Sequence, residues 1–250
     1  YLSYLNKYHS WLKEHKAKAE EELAEREAHA KDMKKWTKDK LLNMSEEDFY
    51  NLLSPLWAMG MWGNKHYKID SMIEENTLDL LRSQFANLLY GTDSLAKRWD
   101  EFRKKIKGIG PGIMSEILNK AYPNDCILWN SKTKNGFSIL EVPQTPRYDS
   151  AMDGNMYVHL SECGKKMLEI SDSKGHKELE NLIALDYFIW QEVQKDIEEE
   201  IIKILMKNSD LMNFSTLLIE ILFLINLHIK NIFYVELLLT LEKVEVVDIL

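Results

Sequence analysis

Apolar residues recur at helical spacing along most of the chain. Leu5, Tyr8, Trp11 and Leu12 share one face of the opening segment. They thin out through residues 16–30, where Glu14–Lys18, Glu22–Arg26 and Glu27–Lys31 stand four apart. No Gly or Pro occurs before about Leu42, and no a/d heptad is sustained. Residues 1–44 therefore read as a charged helical arm, a long solvated helix or a helical hairpin. Ser45-Glu46-Glu47-Asp48 is a helix start, and Phe49, Leu52, Leu53, Leu56 and Trp57 form the apolar face behind it. Gly60, Gly63 and Asn64 break that helix. Another is predicted from Asn76 to Tyr90, and Gly91-Thr92-Asp93-Ser94 ends it and caps a third, from Leu95 to about Ile106. Residues 141–164 look irregular, with Met156–Leu160 as a short strand or a helical turn. Helices are expected again at Lys165–Ile170 and from His176 to about Lys207, with Leu182–Trp190 in the core.

The most hydrophobic stretch is Phe214–Leu241. A membrane span needs roughly 20 largely apolar residues, and Glu220, Asn226, His228, Lys230, Asn231 and Glu236 interrupt this one. It reads as a buried or oligomerising helix pair, with no membrane partner, and Val244–Leu250 as a short strand. The expected organisation is a charged arm (1–44), a central domain (45–207) and an apolar tail (208–250) that packs or makes a homo-oligomer.

Composition supports helices: 10 Gly and 5 Pro in 250 residues leave few of the turns that sheets need. Two cysteines, Cys126 and Cys163, exclude a disulfide framework, a Cys-rich zinc site and a four-Cys iron–sulfur cluster. They fit a reducing, cytoplasmic setting. The opening Tyr1-Leu2-Ser3-Tyr4 has neither a signal peptide nor a Met, which suggests a trimmed fragment. A net charge of −8 excludes a protein that coats nucleic acid with its whole surface. Any such contact must be local.

One segment supplies a local basic patch. In Phe102-Arg103-Lys104-Lys105-Ile106-Lys107-Gly108-Ile109-Gly110-Pro111-Gly112-Ile113, a helix ends at Lys107, a Gly-hydrophobic-Gly turn follows, and Pro111 opens a second helix. Free N–H groups at that second N-terminus form a phosphate seat. Around it Lys97, Arg98, Arg103, Lys104, Lys105 and Lys107 face only Asp100 and Glu101. Ile106, Ile109, Ile113, Ile117 and Leu118 tie the hairpin together.

This segment resembles the helix-hairpin-helix of the DNA glycosylase superfamily. The resemblance places the catalytic aspartate position on Asn130, within Tyr122-Pro123…Trp129-Asn130, and the Schiff-base lysine position on Gly112, eighteen residues earlier. An amide cannot act as the carboxylate, and glycine offers no amine. The resemblance thus implies a scaffold without its chemistry, with Lys132, Lys134 or Asp125 as displaced substitutes. From Ser45 to Gln194 the chain is also similar to the N-terminal modules of McrB-type ATPases in modification-dependent restriction and other defence systems. The order of features is an amphipathic helix, Trp57 and Trp62, Leu-Leu-Tyr-Gly, the hairpin, "Pro…Trp-Asn", and Ala184-Leu-Asp-Tyr-Phe-Ile-Trp190. This resemblance implies DNA binding, with an ATPase or nuclease in another domain or subunit. No P-loop occurs in this chain.

The seven histidines show no metal-type cluster in the sequence, no nucleophile–His–acid spacing occurs, and no cofactor is expected. Trp62, Tyr67, Trp99 and Trp129 are the aromatics nearest the patch, and Trp129 stands beside Asn130, which either caps the next helix or meets a base. His66 lies in a surface loop or a nucleotide pocket. The expectation is a mainly α, glycosylase-like, non-catalytic DNA-binding module. Arg103, Lys104, Lys105, Lys107, Gly108, Gly110 and Gly112 would grip the backbone, with Trp129, Asn130 and Lys132 at a pocket for a modified or extruded base. The rivals are a divergent glycosylase with a relocated acid and a structural assembly protein.

Overall fold

The computed structural model of the protein describes residues 1–194, which are mainly helical and contain no strand. The chain divides into two compact units, Tyr1–Glu192 and Val193–Leu250, and the described residues are essentially the first. The expected extension to Lys207, the Phe214–Leu241 segment, the Val244–Leu250 strand and the 208–250 tail lie outside the described residues.

Local chemistry sets most helix ends. The first two helices, α1 (Leu2–Glu14) and α2 (Lys16–Met33), meet at His15, and Thr37 caps α3 (Lys38–Leu42). Ser45 starts α4 (Glu46–Leu53) with a capping box: its hydroxyl accepts from the Asp48 amide at 3.0 Å, and the Asp48 carboxylate accepts from the Ser45 amide at 2.9 Å. After a short 3-10 turn at Trp57–Met59, Asn64 caps a helix the sequence pattern did not reveal, α5 (Lys65–Asn76). His66 is therefore helical, its ring stacked on Tyr50 at 3.9 Å. Thr77, at φ 62°, separates α5 from α6 (Leu78–Tyr90), so Asn76 closes one helix instead of opening the next.

The hairpin helices are α7 (Leu95–Lys105) and α8 (Pro111–Ala121), and Asn130 caps α9 (Ser131–Ile139). Residues 156–160 are helical, not a strand. Asp153 accepts from the Met156 amide at 2.8 Å and starts α10 (Gly154–Ser173), which buries Tyr157, Leu160, Gly164 and Met167 along one face. The segment His176–Asn181 is not helical. Gly175, at φ 86°, ends the turn after α10, and Asn181 caps α11 (Leu182–Phe188) by accepting from the Ile183 and Ala184 amides.

Helix α8 lies at the centre, with every residue from Ile113 to Lys120 buried. Helix α2 packs on it, α6 sits against α3 and α7, α10 covers α7, and α11 touches α2, α8 and α10. Residues 1–44 belong to this same unit. Tyr8 is fully buried with its ring 5.2 Å from Phe188, and the Tyr1 hydroxyl donates to the Met167 carbonyl at 2.8 Å. The charged face of α2 pairs as Lys16–Glu20 (3.6 Å) and Lys18–Glu22 (3.9 Å). Arg26 forms no pair with Glu22; its guanidinium lies among the rings of Trp57, Tyr187 and Trp190, 4.8–5.6 Å from their centroids. No helix among the described residues is long and apolar enough to cross a membrane.

Candidate nucleic-acid interface

Buried isoleucines fix the hairpin turn. Ile106, Ile109 and Ile113 point inward, and buried Asn76, at the end of α5, grips the turn from behind. Its amide donates to the Lys107 carbonyl at 2.9 Å, and its side-chain carbonyl accepts from the Lys107 N–H at 2.7 Å. Gly108 follows at φ 74°, a conformation that favours glycine. Gly108 and Gly110 are exposed, and no side chain caps α8. Pro111 has no N–H, so the amides of Gly112 and Ile113 are the donors left open at this helix start.

The structure sorts the six expected cations. Lys97 pairs with Asp93 at 2.9 Å and Lys105 with Glu101, while Arg98 donates to the Asp93 and Leu88 carbonyls, closing α6. Lys104 and Lys107 are exposed with no acidic partner among the described residues, and Arg103 is half-buried. A seventh cation, not singled out in the sequence, joins them. Lys68 of α5 has its Nζ 3.8 Å from where a Gly108 side chain would begin and 4.9 Å from the Trp62 ring. Glu75 lies at the same place, its carboxylate 3.4 Å from that point, so one acid interrupts the rim. Trp62, the ring that meets Lys68, is 42% exposed and open to stacking on this side, and Tyr67 is 73% exposed.

Trp129 is not such a ring. It is buried at 1% exposure, packed on Phe137, with its indole N–H donated to Asp149 at 3.3 Å. Trp99 is likewise core, stacked on Tyr157 at 4.1 Å. The segment around Trp129 nevertheless sits beside the hairpin. The Ser115 hydroxyl of α8 accepts from the Trp129 amide at 2.9 Å, and the Gly112 Cα faces the Trp129 carbonyl.

Asn130 is the helix cap: its side-chain carbonyl accepts from the Thr133 amide at 2.9 Å. It also borders a cleft of about 300 Å³ together with Arg26, Trp57, Lys132, Asp186 and Trp190. Four segments noted in the sequence thus meet here, and Asp186 is the residue that the pattern did not mark. It is 6% exposed, and the Thr133 hydroxyl lies 3.3 Å from its Oδ1. Burial pushes its carboxyl up to about 6, against the opposing pull of Arg26 and Thr133. Behind the cleft, Glu116 and Lys120 pair at 2.6 Å, and the Glu116 carboxylate accepts from the Trp57 and Ala58 amides at 2.7 and 2.8 Å. The Trp57 ring has two cations near it, Lys120 at 4.4 Å and Arg26 at 4.8 Å from its centroid.

The raised carboxyl has a consequence for stability. The folded chain holds the Asp186 proton more tightly than the unfolded chain, whose value is 3.8, so stability falls as pH rises from about 4 to about 6 and is level above that. Two pH units correspond to ~3 kcal/mol. Urea midpoints for wild type and Asp186→Asn are expected to converge at pH 4 and to separate by pH 7, where the variant is the more stable. Parallel pH curves would refute this role.

Of the displaced substitutes, Lys134 is buried with its Nζ 3.4 Å from Asp149, and Asp125 is exposed, lining a cleft near Lys165 instead. The Cys126 thiol is buried and pushed up to about 12, which leaves it inert at neutral pH.

Comparisons with family models, curated proteins and solved structures give no match. The function must be argued from geometry.

Outside this region the fold brings together residues that lie far apart in the sequence. His9, His176 and Glu178 come together with ligand atoms within 4.8 Å of one another, although His9 is 167 residues from His176. Histidine spacing along the chain carried no sign of it.

Proposed function

We propose that this unit binds DNA through the α7–α8 hairpin and does not itself supply nucleotide hydrolysis. The observation that carries this reading is an uncapped helix start at Pro111, with Gly108 and Gly110 exposed before it and with Lys104 and Lys107 beside it, which have no acidic partner among the described residues. Open amides at a helix N-terminus favour a phosphate, and the two lysines add the charge that holds it. Lys68 and Trp62 extend the rim with a further cation and an exposed ring, suited to a base exposed at an end or a distortion. Phosphate contacts fix position without reading sequence. Discrimination, of a modified or extruded base, would come from the cleft beside Asn130, with Trp57 and Trp190 as its rings and Lys132 at its edge. A companion ATPase or nuclease fits such a recognition part.

Fluorescence anisotropy tests this reading. Wild type should bind duplex DNA with an affinity that drops steeply with salt. Lys104→Glu/Lys107→Glu, folded by circular dichroism, should bind at least tenfold more weakly. Its log K against log salt slope should be shallower by about 2, since each lost phosphate contact removes ~0.9. Salt-insensitive binding, or equal binding by the variant, would remove the hairpin from the function.

A second reading has one observation in its favour. Asp186, a buried carboxyl with a raised pKa at the cleft, is placed to act as the relocated acid of a divergent glycosylase. Base release from damaged duplex that disappears in Asp186→Asn would establish it; binding without release would leave the module non-catalytic.

A further inference from the structure

The segment between α10 and α11 turns at Gly175 and places His176 and Glu178 against α1, where His9 meets them. The Nδ1 atoms of His9 and His176 each lie 3.1 Å from the same oxygen, Oε1 of Glu178. The two rings stand edge to face with centroids 5.5 Å apart. His176 and Glu178 are largely shielded, at 11% and 17% side-chain exposure, while His9 is 43% exposed. No lysine or arginine among the described residues lies within ion-pair distance of Glu178, so imidazoles alone face its charge.

We propose that His9, His176 and Glu178 bind a divalent ion of the zinc class. Two imidazole nitrogens and one carboxylate oxygen are a donor set that suits zinc or cobalt over magnesium or calcium. With bonds of about 2.0–2.2 Å, the ligand atoms of a tetrahedral ion stand ~3.4 Å apart. Two of the three ligand separations are already 3.1 Å and the third is within 4.8 Å, so the ion is admitted when the two imidazoles close by about an ångström, which the exposed His9 can supply. Each imidazole then carries its proton on Nε2 and ligates through Nδ1. The exposed side, at His9, leaves the fourth position to water. The ion would clip α1 to the segment that leads into α11, joining parts of the chain 167 residues apart.

Isothermal titration of the chelator-stripped full chain with Zn²⁺ alone tests this, together with Co²⁺ absorption as a report of tetrahedral coordination. The expected result is one saturable equivalent for wild type and a rise in Tm of about 5 °C or more at a hundredfold excess over Kd. His9→Ala and Glu178→Gln should each weaken binding at least tenfold and abolish that rise. His66→Ala, on the exposed face of α5, should change neither. His9 is nearly half exposed, so its variant is expected to fold, and circular dichroism checks this. Absence of a saturable site, or equal binding in His9→Ala, would overturn the proposal and leave the three residues as a hydrogen-bonded cluster.

Discussion

Glu116→Ala is expected to lower the unfolding free energy by about 3–5 kcal/mol, the range for breaking a buried ion pair from one side. Lys120 is 2% exposed and would keep its charge with no carboxylate to meet it. The same substitution strips the Trp57 and Ala58 amides of their acceptor, which loosens the 3-10 turn that presents Trp57 to the cleft. Urea denaturation would read the loss as a lower midpoint. A double variant, Glu116→Leu/Lys120→Met, separates charge from packing: it removes both ions at similar volume and should recover most of the stability. A double variant as unstable as Glu116→Ala would show that the backbone hydrogen bonds, and not the unpaired lysine, account for the loss.

Gly154→Val is expected to cost about 3 kcal/mol or more and to lower Tm by ~10 °C. A Cβ at Gly154 would stand 2.6 Å from the Ala96 Cα and collide with the Ala96 carbonyl oxygen. The obstacle is backbone, which cannot swing aside as a side chain can. The Gly154 amide also donates to Asp100 at 2.7 Å, holding the start of α10 against α7. Differential scanning calorimetry of this variant beside Gly63→Val gives the contrast, because nothing lies within 4 Å of a Cβ at Gly63. Equal Tm values for the two would contradict the close approach.

The legible parts of this molecule are those in which neighbouring residues determine the outcome. Ser45 with Asp48, Pro111 after a Gly-hydrophobic-Gly turn, and Asn130 before Thr133 each make contacts within three residues, and the elements appear where the sequence places them. Elements governed by distant partners were not legible. The pattern concealed α5 because Thr77 adopts a left-handed conformation that no local signal announces. It left 156–160 open between a short strand and a helical turn because the burial of Tyr157, stacked on Trp99 of α7, comes from a distant partner. The same division holds for the candidate site. Gly108, Lys104 and Lys107 stood out as a motif, whereas Lys68 reaches the hairpin only because Asn76 ties α5 to it. Arg26 looked like half of a surface ion pair, yet three aromatic rings from elsewhere surround it. Asp186 gave no sign because its altered acidity comes from burial that spacing does not encode.

The burial of Tyr8 against Tyr187 and Phe188 also bears on how the protein comes into being. Helix α1 leaves the ribosome well before its partners, since the rings that cover it are made almost 180 residues later. At roughly 5–20 residues per second, that interval is on the order of 10–40 s. During it Leu5, Tyr8 and Trp11 present an apolar surface with nothing native to receive it. The nascent chain is in that period a natural client for a chaperone, and a stall in translation before Leu182 would strand the protein in its most adhesive form.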